Sequence, residues 1–81
     1  MSAPTNDLRR IIDATLAAHA PSWTVRDSEA ETGSLLVSAP GCVGYSLGVT
    51  HSGVVWLPVG ATEAARELAG RIRGAVRDGA L

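Results

Sequence analysis

Hydrophobic positions along this chain follow two different periods, which together predict two helices and four strands. Residues 7–20 and 61–78 carry apolar side chains at the i, i+3, i+4 spacing of one helical face. Between them, apolar and polar residues alternate as they do in half-buried strands. Four short segments show this alternation: residues 23–28, 34–39, 43–50 and 54–59. The pattern therefore predicts a single α+β domain in the order helix, four-stranded antiparallel meander, helix.

The two predicted helices have enough apolar surface to cover one face of the sheet, and we place both of them there. The covered face takes most of the larger apolar strand residues: Val25, Val37, Tyr45, Leu47, Val55 and Leu57. The opposite face carries small or uncharged residues: Leu36, Ser38, Gly44, Ser46, Gly48, Thr50, Val54 and Trp56. Because an antiparallel sheet face that meets water is normally polar and often charged, this composition is unusual.

The distribution of charge points the same way. Residues 32–62 contain no Asp, Glu, Lys or Arg, although 19% of the chain is charged. Exposed apolar patches mark interaction sites, and twofold dimers are the commonest closed assembly. We therefore predict an interface with a second copy, with another protein or a ligand as the alternatives. The residues predicted to form it are Leu36, Gly44, Ser46, Gly48, Val54 and Trp56.

Trp56 allows a second interpretation. A tryptophan beside strand glycines also occurs as local packing, in which the ring covers bare backbone. In that case part of the uncharged face would be covered by the chain itself.

Length and composition limit the class of protein. A chain of 81 residues makes one domain, over residues 1–81 with a flexible N-terminus at 1–5, near the lower limit for an unaided core. An apolar content of 46% and a net charge of −1 exclude a disordered composition. No apolar run approaches the roughly 20 residues that cross a bilayer, and the N-terminus has no apolar signal segment. We expect a cytoplasmic protein without membrane association.

Residues 44–48 match the motif G-x-S-x-G, which resembles the nucleophile elbow of α/β hydrolases. That motif requires a helix directly after the serine, whereas a strand and a turn are predicted after Ser46. No acidic residue lies between Ser46 and the downstream His51. We interpret the motif as a chance match and predict a non-enzymatic protein with no catalytic residue.

Metal and cofactor sites are not predicted. The chain has one cysteine, Cys42, and two histidines, which fall at the end of the first helix and in a turn. The only acidic cluster is Asp27, Glu29 and Glu31, which we interpret as a solvated hairpin tip in preference to a cation site. Neither group has the ligand spacing of a known metal motif.

The second helix offers an alternative function. Arg66, Arg73 and Arg77 fall on one stripe, where they would suit contacts to a phosphate backbone. The order of elements resembles the double-stranded RNA-binding domain and, more loosely, dimeric nucleoid-associated proteins. The lysine-rich helix start of the former is replaced by GATEAA at residues 60–65, so no functional residue carries over. The net charge of −1 also differs from the basic balance typical of nucleic-acid binders.

All seven basic residues are arginine, in a chain rich in Ala, Gly and Val, which indicates a GC-rich genome such as that of an actinobacterium or its phage. The sequence thus predicts a small, non-enzymatic, homodimeric interaction or regulatory module. A nucleic-acid-associated regulator is the alternative.

Overall fold

The structure, a computed structural model, describes residues 4–79. It confirms the predicted fold class, with two helices and one four-stranded antiparallel sheet. The elements in chain order are α1 (Pro4–His19), β1 (Thr24–Asp27), β2 (Leu35–Ser38), β3 (Leu47–Val49), β4 (Val55–Trp56) and α2 (Glu63–Asp78). Within these residues, neither helix combines the length and apolar character needed to cross a membrane.

The sheet is a simple meander in which each strand pairs with the next, in the order β1-β2-β3-β4. Val37 pairs with Val25 on one side and with Leu47 on the other, while Val49 pairs with Leu35 and Val55. Since alternate strand residues point to opposite sides, these apolar side chains all face the same way. They form the sheet's contribution to the core.

Both helices pack on this apolar side. From α1 the buried core residues are Leu8, Ile12 and Leu16, and α2 adds Leu68 and Ile72. They match the spacing that predicted the helices. Each fully buried Leu, Ile or Val is worth about 1.5–3 kcal/mol, which is a large share of the stability of a domain this small.

The helix ends differ in detail from the prediction. Residues 1–3 of the predicted flexible N-terminus lie outside the described residues, while Pro4 and Thr5 belong to α1. Proline suits the first helical turn because its missing N–H has no partner there in any case. Thr62 caps α2, since its hydroxyl accepts a 3.2 Å hydrogen bond from the N–H of Ala65.

The predicted third strand is wrong over its first half, because β3 begins only at Leu47. Gly41 and Gly44 adopt left-handed conformations, with φ of 77° and 89°, which strand residues do not adopt. Residues 39–46 therefore form a loop. Tyr45, predicted to face the helices, instead contacts Trp56 on the other side of the sheet.

Candidate functional site

The side of the sheet turned away from the helices, called the open face below, is crossed by one row of paired residues. Arg26 on β1 pairs with Leu36 on β2, Leu36 with Gly48 on β3, and Gly48 with Trp56 on β4. The row therefore runs from a cation through an aliphatic side chain and a bare backbone position to an aromatic ring.

Trp56 covers the bare position in this row. A Cβ atom added at Gly48 would overlap the six-membered ring of Trp56, so the indole lies directly on the glycine. Tyr45 contacts the indole edge-on, with ring centroids 6.2 Å apart and planes at 66°. The indole Nε1 also donates a 3.3 Å hydrogen bond to the Tyr45 hydroxyl. The local-packing interpretation of Trp56 thus holds for Gly48, which is buried.

Arg26 places a charge on the open face. Its guanidinium donates a 3.0 Å hydrogen bond to the carbonyl of Gly44, which also accepts from the Ser38 hydroxyl at 2.9 Å. The prediction of an uncharged face considered only residues of the later strands. The alternation of β1 already places Arg26 on the side of the sheet away from Val25, but Arg26 was not counted among the residues of the predicted uncharged face. The open face is therefore uncharged on β2, β3 and β4 only.

The six predicted interface residues occupy three kinds of position. Gly48 is buried beneath the indole. Leu36, Ser46 and Trp56 are half-buried, and Gly44 and Val54 are exposed. Five of them belong to the open face or its edge. Gly44 lies in the loop before β3, where its carbonyl anchors Arg26 and Ser38.

The open face is uneven. On the β3–β4 side, the Trp56 ring covers Gly48 and Val54 is 61% exposed; these two side chains are called the ridge below. On the β1–β2 side there is a hollow of about 360 Å³, lined by Arg26, Leu36 and residues 27–30 of the following hairpin. A ridge and a hollow thus lie side by side on one surface.

The serine of G-x-S-x-G has a structural contact. The Ser46 hydroxyl is half-buried and accepts a 3.1 Å hydrogen bond from the N–H of Ala39, just beyond β2. Ser46 directly precedes β3, so it does not sit at a strand-to-helix turn. Its hydroxyl ties the loop over residues 39–46 to the sheet.

The other candidate chemical groups are dispersed. Cys42 is an exposed free thiol in the loop before β3, and His51 is exposed in the turn before β4. Between Pro4 and Gly79, no three side chains of His, Cys, Asp or Glu are grouped so as to hold a metal ion. The acidic residues Asp27, Glu29 and Glu31 are all exposed around the β1–β2 hairpin.

The arginine stripe lies on the outer surface of α2. Arg66, Arg73 and Arg77 are exposed, and acidic neighbours such as Glu67 share this surface. Glu67 forms an ion pair of 3.9 Å with Arg71. Gly70, within the stripe, faces open space, since an added Cβ would meet no heavy atom within 4 Å. The helix therefore tolerates this glycine, and among the described residues no close contact on the outer side of α2 requires it.

Comparisons of this chain with protein-family models, with curated proteins and with solved structures give no match. The site is accordingly interpreted from its own geometry. Its distinguishing feature is the open face, where Leu36 on β2 and Trp56 on β4 are half-buried and Val54, just before β4, is exposed. No charged residue lies on β2, β3 or β4.

Proposed function

We propose that this chain is a small non-enzymatic interaction or regulatory module that forms a homodimer through its open face. The observation that carries the proposal is the contrast between the two sides of the sheet. On the helix side, the apolar strand residues are buried against the two helices in the hydrophobic core. The open side leaves Leu36 and Trp56 half-buried and Val54 exposed, with no charge on β2, β3 or β4.

A second copy is the occupant that we favour. Contiguous apolar surface on a small protein marks an interaction site, and an isologous twofold interface buries the same patch on both subunits. An 81-residue chain also gains from association, because its own core is near the lower limit for stability.

Two exposed valines provide a matched test. Val54 is 61% exposed on the open face, whereas Val59 is 106% exposed in the loop between β4 and α2. Neither is part of the core, so an aspartate at either position should leave the fold of one subunit intact. We expect Val54→Asp to give the mass of a single chain by light scattering, and Val59→Asp to keep the mass of a dimer. Dimeric mass for both variants would contradict the proposal, provided that circular dichroism shows a native fold.

The alternative proposal is a nucleic-acid-associated regulator. Its support is that Arg66, Arg73 and Arg77 are all exposed along one helix and are not in the two ion pairs found between residues 4 and 79. Three phosphate contacts on duplex DNA would make log K fall against log salt with a slope of about −2.7. An electrophoretic shift that weakens with this slope would support the alternative, and no shift at low salt would remove it.

A further inference from the structure

The geometry points to one arrangement of the two copies, in which the Trp56–Val54 ridge of each enters the hollow beside Leu36 of the other. This inference rests on the proposed homodimer and specifies how its two surfaces meet. The open faces would pack against each other with β1 of one copy over β4 of the second copy, and β2 over β3.

The positions of ridge and hollow carry the inference. Both lie on the open face, on opposite sides of a line that runs between β2 and β3. A twofold axis along this line exchanges β1 with β4 and β2 with β3. Each ridge is then brought over a hollow, as an isologous interface requires. An axis across the strands would set ridge against ridge and leave both hollows empty.

The central row of residues is complementary about the same axis. Strands lie about 4.8 Å apart, so the row from Arg26 to Trp56 spans about 14 Å. The axis would bring Leu36 of one copy over the indole that covers Gly48 in the other. It would also bring Arg26, the cation of the row, to Trp56 and its neighbour Tyr45. Guanidinium groups and apolar side chains both pack well on an indole face.

The hollow has suitable size and lining for the ridge. Its volume is about 360 Å³, and it combines the apolar Leu36 and Ala30 with Arg26 and Glu29 at the same cavity. The N–H of Trp56 already has an acceptor in the Tyr45 hydroxyl, so the indole needs only apolar and cationic neighbours. Leu36 and Arg26 of the hollow provide them.

Paired single-cysteine variants test the arrangement. Backbone hydrogen bonds pair Ser28 with Ser34 and Thr50 with Val54. Ser34 and Thr50 adjoin the paired residues Leu35 and Val49 of β2 and β3. Ser28 and Val54 therefore lie at the two ends of one row across the open face. The proposed axis brings Ser28 of one copy next to Val54 of the other. With the only native thiol removed by Cys42→Ser, a mixture of Ser28→Cys and Val54→Cys chains should form a covalent heterodimer under mild oxidation or with a short thiol crosslinker.

Controls separate this inference from the dimer itself. Each variant alone should crosslink several-fold less than the mixture, and Val59→Cys mixed with Ser28→Cys should do the same. Because the Ser28 hydroxyl accepts a 3.3 Å hydrogen bond from the N–H of Glu31, Glu29→Cys provides a second hollow position that leaves this bond intact. Dimeric mass with no 28–54 or 29–54 crosslink, or efficient crosslinking of Val54→Cys alone, would overturn the arrangement and leave the homodimer standing. Monomeric mass would overturn both.

Discussion

The packing of Trp56 on Gly48 makes a sharp prediction for the variant Gly48→Ala. Gly48 is not among the glycines with positive φ, so alanine fits its backbone conformation. The obstacle is the side chain, because the added Cβ would overlap the indole ring. The ring must then lift away from β3 and lose its edge contact with Tyr45.

The size of the effect follows from the contacts that are lost. An aromatic side chain buries 150–250 Å² in a typical site. One ring face is about half of that area, roughly 100 Å², which is worth about 2.5 kcal/mol at 25 cal/mol per Å². The edge contact with Tyr45 adds about 0.5–1.5 kcal/mol. Alanine recovers about 0.5–1 kcal/mol of backbone entropy relative to glycine. We expect a net loss of about 2–3.5 kcal/mol in the free energy of unfolding.

A double-mutant cycle measured by urea unfolding tests this reasoning. When Trp56→Ala is already present, Gly48→Ala should no longer destabilise the protein and should stabilise it by about 0.5–1 kcal/mol. Trp23 remains as a fluorescent reporter, and all measurements should use one protein concentration because dimer formation adds to apparent stability. An equal cost for Gly48→Ala in both backgrounds would refute the direct contact between the ring and the glycine.

Substitutions at three further positions test the local structure by chemical denaturation. Thr62→Ala removes the cap of α2 and should cost about 1 kcal/mol, whereas Thr62→Ser keeps the hydroxyl and should cost much less. Gly70→Ala should stabilise the protein by up to about 1 kcal/mol, because its Cβ faces open space within a helix. Gly53→Ala should destabilise it instead, since φ is 89° and the new Cβ would lie 2.8 Å from a methyl group of Val76. A destabilising Gly70→Ala would show that the outer side of α2 has a contact which this account lacks.

The periodicity of the sequence was sufficient for the fold because the two periods are cleanly separated along the chain. Leu8, Ile12 and Leu16 recur at helical spacing, and all three are buried in the core. Alternation likewise assigned Val37 and Leu47 to the helix side of the sheet. Such patterns depend only on neighbouring residues, so they can be read without knowledge of the tertiary structure.

The details of the open face were less accessible, because they depend on contacts between residues far apart in sequence. Alternation over residues 43–49 resembles a strand, but left-handed backbone at Gly44 converts its first half into a loop. Tyr45 consequently turns toward Trp56, which no period predicts. The direction of the Trp56 side chain likewise depends on tertiary contacts. Arg26 was predictable from the alternation of β1, since the adjacent Val25 was already assigned to the helix side.

The solution mass of the unmodified protein, measured by sedimentation equilibrium over a wide range of concentrations, tests the central claim most directly. If the open face is covered by a second copy, the mass should approach twice the 8.3 kDa of one chain and fall toward that value on dilution. A mass of one chain at every concentration would contradict the account.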